Sequence, residues 1–148
     1  MITYEELHKQ NHKITELTNV LGQLFGDRLL CDSKITHDLF FDYVDHVKAH
    51  MEVIDKKIFP KLLSHSDQEM RKVADRFMGG SKEIKRIFSA YVKTWCRTKN
   101  RTLMIKDYDR FMKETNEMFD MVLDRIQDET EHLYPLIKKM TGDSQKAA

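Results

Sequence analysis

The sequence is poor in residues that cross-link or break a chain: its 148 residues include 2 Cys, 2 Pro and 5 Gly. Two cysteines cannot build the disulfide framework of a small secreted domain, so we expect Cys31 and Cys96 to be free thiols in a reducing cytoplasm. So little Pro and Gly excludes collagen-like and Pro-rich chains. No apolar run approaches the roughly 20 residues that span a bilayer. The polar start "MITYEELHKQ" does not resemble a secretory signal, and we expect a soluble, cytoplasmic protein.

Charge is abundant but balanced, with 33% charged residues and a formal net charge of +1. This balance provides no overall attraction to a membrane or to nucleic acid. One local exception is "KTWCRTKNR", where Lys93, Arg97, Lys99 and Arg101 surround Trp95. We interpret this basic cluster as a solvated helix end, and the alternative is a docking or nucleic-acid patch.

Apolar residues recur with helical spacing in four segments, and almost nothing alternates with period two, which predicts an all-α fold without strands. The segments run from about Thr3, an N-cap with Glu6 three residues on, to Phe25, from Thr36 to Ser64, from Asp67 to Arg97 and from Lys106 to Met140. Four helices with short connections predict an up-down-up-down antiparallel four-helix bundle. We expect one domain over residues 1–140 and a flexible tail over residues 141–148.

The third helix is interrupted at its centre by "GGS", Gly79 to Ser81. Each glycine costs on the order of 1 kcal/mol relative to alanine in a helix interior. Two in succession therefore predict a kink or a close contact with another helix.

Chemistry-bearing motifs are few. The sequence has no Gly-rich phosphate loop, nucleophile motif, CxxC or HExxH, so we expect no enzymatic activity. Helical bundles build metal sites from inward-facing His and carboxylates. Of the seven histidines only His50, one turn before Ile54, lies at the edge of an apolar stripe. It is either a hydrogen-bonded core histidine or a metal ligand.

The last helix carries two charges where apolar residues are expected. Glu129 shares a stripe with Ile126 and Leu133, and Arg125 lies one turn earlier at its edge. A lone buried carboxylate is costly or takes up a proton, so it needs a cation or donors nearby. This pattern predicts an internal ion pair between Arg125 and Glu129.

Two segments, "HMEVIDKKIFPKL" and "DETEHLYPLI", resemble the paired Pro-ended segments of hemerythrin-like (HHE cation-binding) domains, and the resemblance extends from the first helix to about Lys139. It implies a bundle whose helices two and four each supply a His followed one turn later by a Glu, with further His from helices one and three, around a non-haem di-iron centre. Counting back from the two prolines, the corresponding positions in this sequence are His50, Ile54, Arg125 and Glu129, and helices three and one would offer Ser81 and Asn11.

Only His50 and Glu129 match the ligand types of that family, and His12 joins them if the register slips by one. These are too few ligands for two irons. The resemblance therefore implies a degenerate site without a cofactor, in a non-enzymatic regulatory module that binds another protein, such as a signalling or transcription component. The alternative is a hemerythrin-like sensor of oxygen, nitric oxide or redox state that holds non-haem iron in a rearranged site formed by His12, His46, His50, Asp55, Glu129 and His132.

A second, shorter resemblance comes from "HMEVID" and "DRIQDE", which are similar to segments of the regulator-of-sigma-D anti-sigma proteins. Those bundles also carry an Arg and an acidic residue one turn apart in the last helix. This resemblance implies a transcription regulator that binds an RNA polymerase sigma subunit. In either case we expect Arg125 to supply the positive charge that a metal would supply, with Ser81 or His50 as hydrogen-bond partners.

Overall fold

The computed structural model describes residues 3–141, and the tail assigned to residues 141–148 lies outside this range except for Thr141. Four helical rods make up the described chain, so the all-α prediction is confirmed. The rods comprise α1 (Tyr4–Phe25), α2 (Lys34–Val53) continuing through a π-helical turn (Ile54–Ile58) into α3 (Phe59–Leu63), α4 (Gln68–Trp95), and α5 (Tyr108–Asp128) continuing through a second π-helical turn (Glu129–Leu133) into α6 (Tyr134–Thr141). Among the described residues, no helix is both long and apolar enough to cross a membrane.

Polar side chains fix where the helices begin. At α1, the Thr3 hydroxyl accepts from the Glu6 amide at 3.2 Å and the Glu6 carboxylate accepts from the Thr3 amide at 3.0 Å, a reciprocal capping box. The expected N-cap is therefore confirmed. α2 begins two residues earlier than predicted because Ser33 caps it by accepting from the Thr36 amide. α5 begins at Tyr108, two residues later than predicted, because Asp107 is its cap.

The prediction that the third helix reaches Arg97, with no strand in the protein, is wrong. α4 ends at Trp95, and two short strands, β1 (Cys96–Arg97) and β2 (Thr102–Leu103), pair antiparallel. The Trp95 carbonyl accepts from the Met104 amide at 2.6 Å, and His37 Nδ1 accepts from the Leu103 amide at 2.9 Å. These nonlocal bonds hold the chain in a hairpin after Trp95.

Buried apolar side chains form two separate clusters. One surrounds Phe25, Phe40, Tyr91, Trp95 and Phe111, and the other surrounds Leu7, Phe77, Leu133, Tyr134 and Ile137. Along α1, Leu7 belongs to the second cluster and Ile14 to the first. The other rods also contribute to both clusters: Val47 before His50 and Val122 before Glu129 lie in the first, and Ile54 and Leu133 after them lie in the second. A polar layer therefore crosses the molecule between the two apolar clusters.

A buried polar network between two apolar cores

The polar layer takes side chains from all four rods: Asn11 from α1, His50 from α2, Ser81 from α4, and Arg125 and Glu129 from the α5 rod. Four of them are buried outright, and the Arg125 side chain is 11% exposed. Ile54, the sixth position suggested by the resemblance to hemerythrin-like domains, is buried in the second apolar cluster. The structure thus brings together the polar positions identified in the sequence.

The Glu129 carboxylate is the centre of the network. Its Oε1 accepts from His50 Nε2 at 2.7 Å and from the Tyr134 hydroxyl at 3.1 Å. Its Oε2 accepts from Arg125 Nε at 3.0 Å. Both carboxylate oxygens are therefore occupied by donors, which is the requirement for keeping a buried carboxylate charged.

His50 connects the carboxylate to α1. Its Nδ1 lies 2.6 Å from Gln10 Oε1, while Nε2 contacts Glu129. Both ring nitrogens thus lie within hydrogen-bonding distance of a side-chain oxygen. Glu129 is consequently bonded by two basic side chains, His50 from α2 and Arg125 from its own rod.

Arg125 is held on several sides. Its Nη2 donates to Ser81 Oγ at 3.0 Å, and its guanidinium carbon lies 4.6 Å from the centre of the Phe77 ring. It also passes directly over Gly80, where an added Cβ would lie 2.7 Å from Nη1. α4 is continuous through Gly79 and Gly80, so of the two readings of the glycine pair, close contact is the one that the structure shows.

Two members of the network, Tyr134 and Gln10, were not identified from the sequence. Asn11 Nδ2 donates to the Tyr134 hydroxyl at 2.6 Å, and that hydroxyl donates to Glu129. Tyr134 reaches Glu129 because the π-helical turn bonds its amide to the Glu129 carbonyl, five residues back. The sequence signal for this turn is the "YP" pair. Proline lacks an amide proton, and a π-helical turn, which is wider than an α-helical turn, accommodates a proline that follows it. "FP" at Phe59 follows the other π-helical turn in the same way.

The surroundings of Glu129 set its charge state. Burial alone would raise the pKa of Glu129, but the hydrogen bond and charge of His50 and the charge of Arg125 outweigh it and hold the pKa below its usual value of 4.5. Burial and the adjacent Glu129 carboxylate raise the pKa of Tyr134 well above its ordinary value. Glu129 is therefore ionised at neutral pH, and Tyr134 remains a hydrogen-bond donor.

A depressed carboxyl pKa predicts a specific pH dependence. Glu129 stabilises the folded state fully above its unfolded pKa of 4.5, and this contribution is lost as the pH falls through the lower folded pKa. We therefore expect the loss of unfolding free energy between pH 5 and pH 3 to be smaller in Glu129→Gln than in the native chain, as measured by urea unfolding at each pH. Glu131→Gln, at an exposed position one turn from Gln127, serves as the control and should follow the native chain. Equal losses in both variants would contradict a charged Glu129.

The other residues proposed as metal ligands lie outside the buried network. The His12 side chain is 76% exposed and contacts Glu16 on the surface of α1, so His12 does not join His50 and Glu129. His46 contacts Asp42, Asp55 pairs with Lys85 and His132 contacts Asp128. Within residues 3–141, no three His, Cys, Asp or Glu side chains converge as a metal site. The rearranged site that the sensor alternative requires is therefore not assembled.

The basic cluster also needs correction. Trp95 is buried in the first apolar cluster, where its ring lies 5.5 Å from that of Phe111. Lys93, Arg97, Lys99 and Arg101 are exposed around the hairpin. Arg101 is paired with Asp45 at 3.0 Å. The hairpin is therefore a charged surface without an aromatic side chain at its centre, which favours the solvated reading over nucleic-acid stacking.

Comparisons of this chain with protein-family models, curated proteins and solved structures found no match. The assignment of a function thus depends on the residues of the network and of the surface.

Proposed function

We propose that this chain is a hemerythrin-like bundle with its rods in up-down-up-down antiparallel order, that the Arg125 guanidinium stands where a metal cation would be held, and that its role is the non-enzymatic binding of another protein. The observation that carries this proposal is the bonding of Arg125 to Glu129 and to Ser81 at the junction of the two apolar cores.

The two proline-ended rods support the hemerythrin-like arrangement. Each contains a π-helical turn immediately before its "FP" or "YP" pair, Ile54–Ile58 in one rod and Glu129–Leu133 in the other. π-helical turns are rare and occur frequently at functional sites. Their repetition beside one polar layer is the arrangement expected of a bundle whose centre once held ligands on both rods.

The state of the polar groups supports a structural role for the centre. Both oxygens of Glu129 and both ring nitrogens of His50 are engaged, so neither is free to act as a base or to accept a metal ion. A guanidinium supplies a permanent positive charge with several fixed donors, and it cannot be lost to a chelator as a metal ion can. The centre therefore fixes the register of the rods.

Exposed apolar residues in the connection between α1 and α2 and in the first turn of α2 support a protein-binding role. Leu29 in the connection is 86% exposed, its neighbour Leu30 is 41% exposed, and Ile35 in the first turn of α2 is 64% exposed. Groups of large apolar side chains left in water are typical of interaction surfaces. The resemblance to anti-sigma proteins makes an RNA polymerase sigma subunit the first partner to test.

Metal content tests the first part of the proposal. We expect protein purified without a metal-affinity tag to contain far less than one equivalent of iron, manganese or zinc. Because only a ligand that binds the folded state raises the unfolding temperature, we expect the same Tm with a chelator as with any of the three metals added. About two irons per chain, or a metal-dependent rise in Tm, would contradict a guanidinium-filled centre.

Binding of a purified sigma subunit, measured by calorimetry, tests the second part. We expect a complex whose affinity falls at least about tenfold, or about 1.4 kcal/mol, when Leu29→Asp and Ile35→Asp are combined. Val20→Asp serves as the control because Val20 is an exposed apolar residue of α1 that is distant in sequence from Leu29 and Ile35. Equal weakening by the control would contradict the assigned surface, and absence of a complex would exclude the anti-sigma version.

A further inference from the structure

An open cleft of about 420 Å³ lies between the rods where α2 faces α4. Val47, Met51 and Phe88 form its apolar floor, and charged side chains form its rim. We propose that this cleft binds a small amphipathic carboxylate, with the apolar tail on the floor and the head group at Lys48.

The size and lining of the cleft match a small ligand. Small-molecule sites typically measure about 300–1,000 Å³ and combine an apolar lining with a few polar groups that orient the ligand. This cleft lies within that range, and its floor consists of one aromatic and two aliphatic side chains.

The charges on the rim select a negative head group. Of the acidic residues, Glu52 accepts from Lys56 at 2.5 Å and Asp55 pairs with Lys85 across the cleft. Both carboxylates are therefore already neutralised by a lysine. Lys48 makes no ion pair within residues 3–141, so the rim retains one uncompensated positive charge. A carboxylate beside Lys48 would complete the pairing, whereas a cationic head group would be repelled.

The floor of the cleft adjoins the buried network. Val47 and Met51 also line a cavity of about 20 Å³ that is bounded by His50, Arg125 and Glu129 and has room for about one water molecule. One layer of side chains thus separates the cleft from the network. Met51 is partly exposed and has several rotatable bonds, so it can repack around a ligand tail.

The methionine methyl groups provide a direct readout. Protein labelled with ¹³C at its methionine methyls would be titrated with decanoate below its micelle concentration, with the Met51 signal assigned from Met51→Leu. We expect saturable shifts of Met51, which lines the cleft, and none of Met112, which does not. Decanol, which has the same tail without the charge, and butyrate, which has the charge on a short tail, should each bind at least about tenfold more weakly.

Matched variants locate the head group and the tail. Lys48→Glu should weaken decanoate binding at least about tenfold. Lys9→Glu, the same charge change at an exposed position of α1, should leave binding unchanged. Ser89→Trp, which introduces a large ring at the exposed rim, should abolish the Met51 shift. The native fold of each variant would be checked from the unchanged Met112 signal.

Several results would overturn this proposal. An unshifted Met51 signal, equal affinity for decanol, or equal weakening by Lys9→Glu would each exclude a carboxylate site at Lys48. A Met51 signal that depends on protein concentration without ligand would assign the cleft to a second copy of the chain instead. The site goes beyond the proposed protein-binding role, and its failure would leave the metal and sigma measurements unaffected.

Discussion

Arg125→Ala is expected to lower the free energy of unfolding by about 3 kcal/mol at neutral pH. Removal of the guanidinium leaves the Glu129 carboxylate buried without its permanent cation, and it leaves Ser81 Oγ without its donor. The substitution also removes the group stacked on Phe77. Breaking a buried ion pair from one side is far more costly than breaking an exposed pair because the remaining charge stays desolvated.

Arg76→Ala is a closely matched control. Arg76 also lies over the Phe77 ring, at 4.5 Å, and pairs with Asp128 at 3.1 Å, but its side chain is 53% exposed. We expect it to cost less than about 1 kcal/mol in the same urea titrations. In a Glu129→Gln background, Arg125→Ala should cost less than in the native chain, because no uncompensated carboxylate remains. A loss below about 0.5 kcal/mol for Arg125→Ala would show that Arg125 does not compensate Glu129.

The features that could be predicted from the sequence are those set by local spacing. Apolar periodicity located all four rods, and Thr3 with Glu6 identified the first helix start. Arg125 and Glu129 stood out because a charge on an apolar stripe is costly without a partner. The structure places them 3.0 Å apart, with Ser81 and His50 as the additional partners.

The features that could not be predicted depend on irregular turns and nonlocal contacts. On a regular helix of 3.6 residues per turn, Tyr134 would point about 140° away from Glu129, and only the π-helical turn brings them together. The hairpin after Trp95 depends on His37, which is distant in sequence. Whether Asn11 or His12 faces the centre is decided by packing of α1, which buries Asn11 against Tyr134.

Gly80→Ala is expected to leave the protein about 2 kcal/mol less stable than Gly79→Ala does. Both positions lie in the interior of α4, so both substitutions gain the same helix propensity, about 1 kcal/mol. A Cβ at Gly79 meets nothing within 4 Å, and we expect this variant to be more stable than the native chain. A Cβ at Gly80 would lie 2.7 Å from Arg125 Nη1. We expect movement of the guanidinium away from this Cβ to disturb its bonds to Glu129 and Ser81.

Combining the glycine substitutions with Arg125→Ala separates this steric contact from any other property of Gly80. Without the guanidinium, Gly80→Ala should become stabilising by about the same amount as Gly79→Ala. Urea unfolding of the native chain, Arg125→Ala, the two glycine variants and their two combinations with Arg125→Ala measures this. Equal effects of the two glycine substitutions in the native background would mean that Arg125 is free to move, and the guanidinium could not then hold the rods in register. A large coupling energy would instead mean that Gly80 and Arg125 act as one unit, in which the missing side chain of α4 makes the room that the buried cation of α5 occupies.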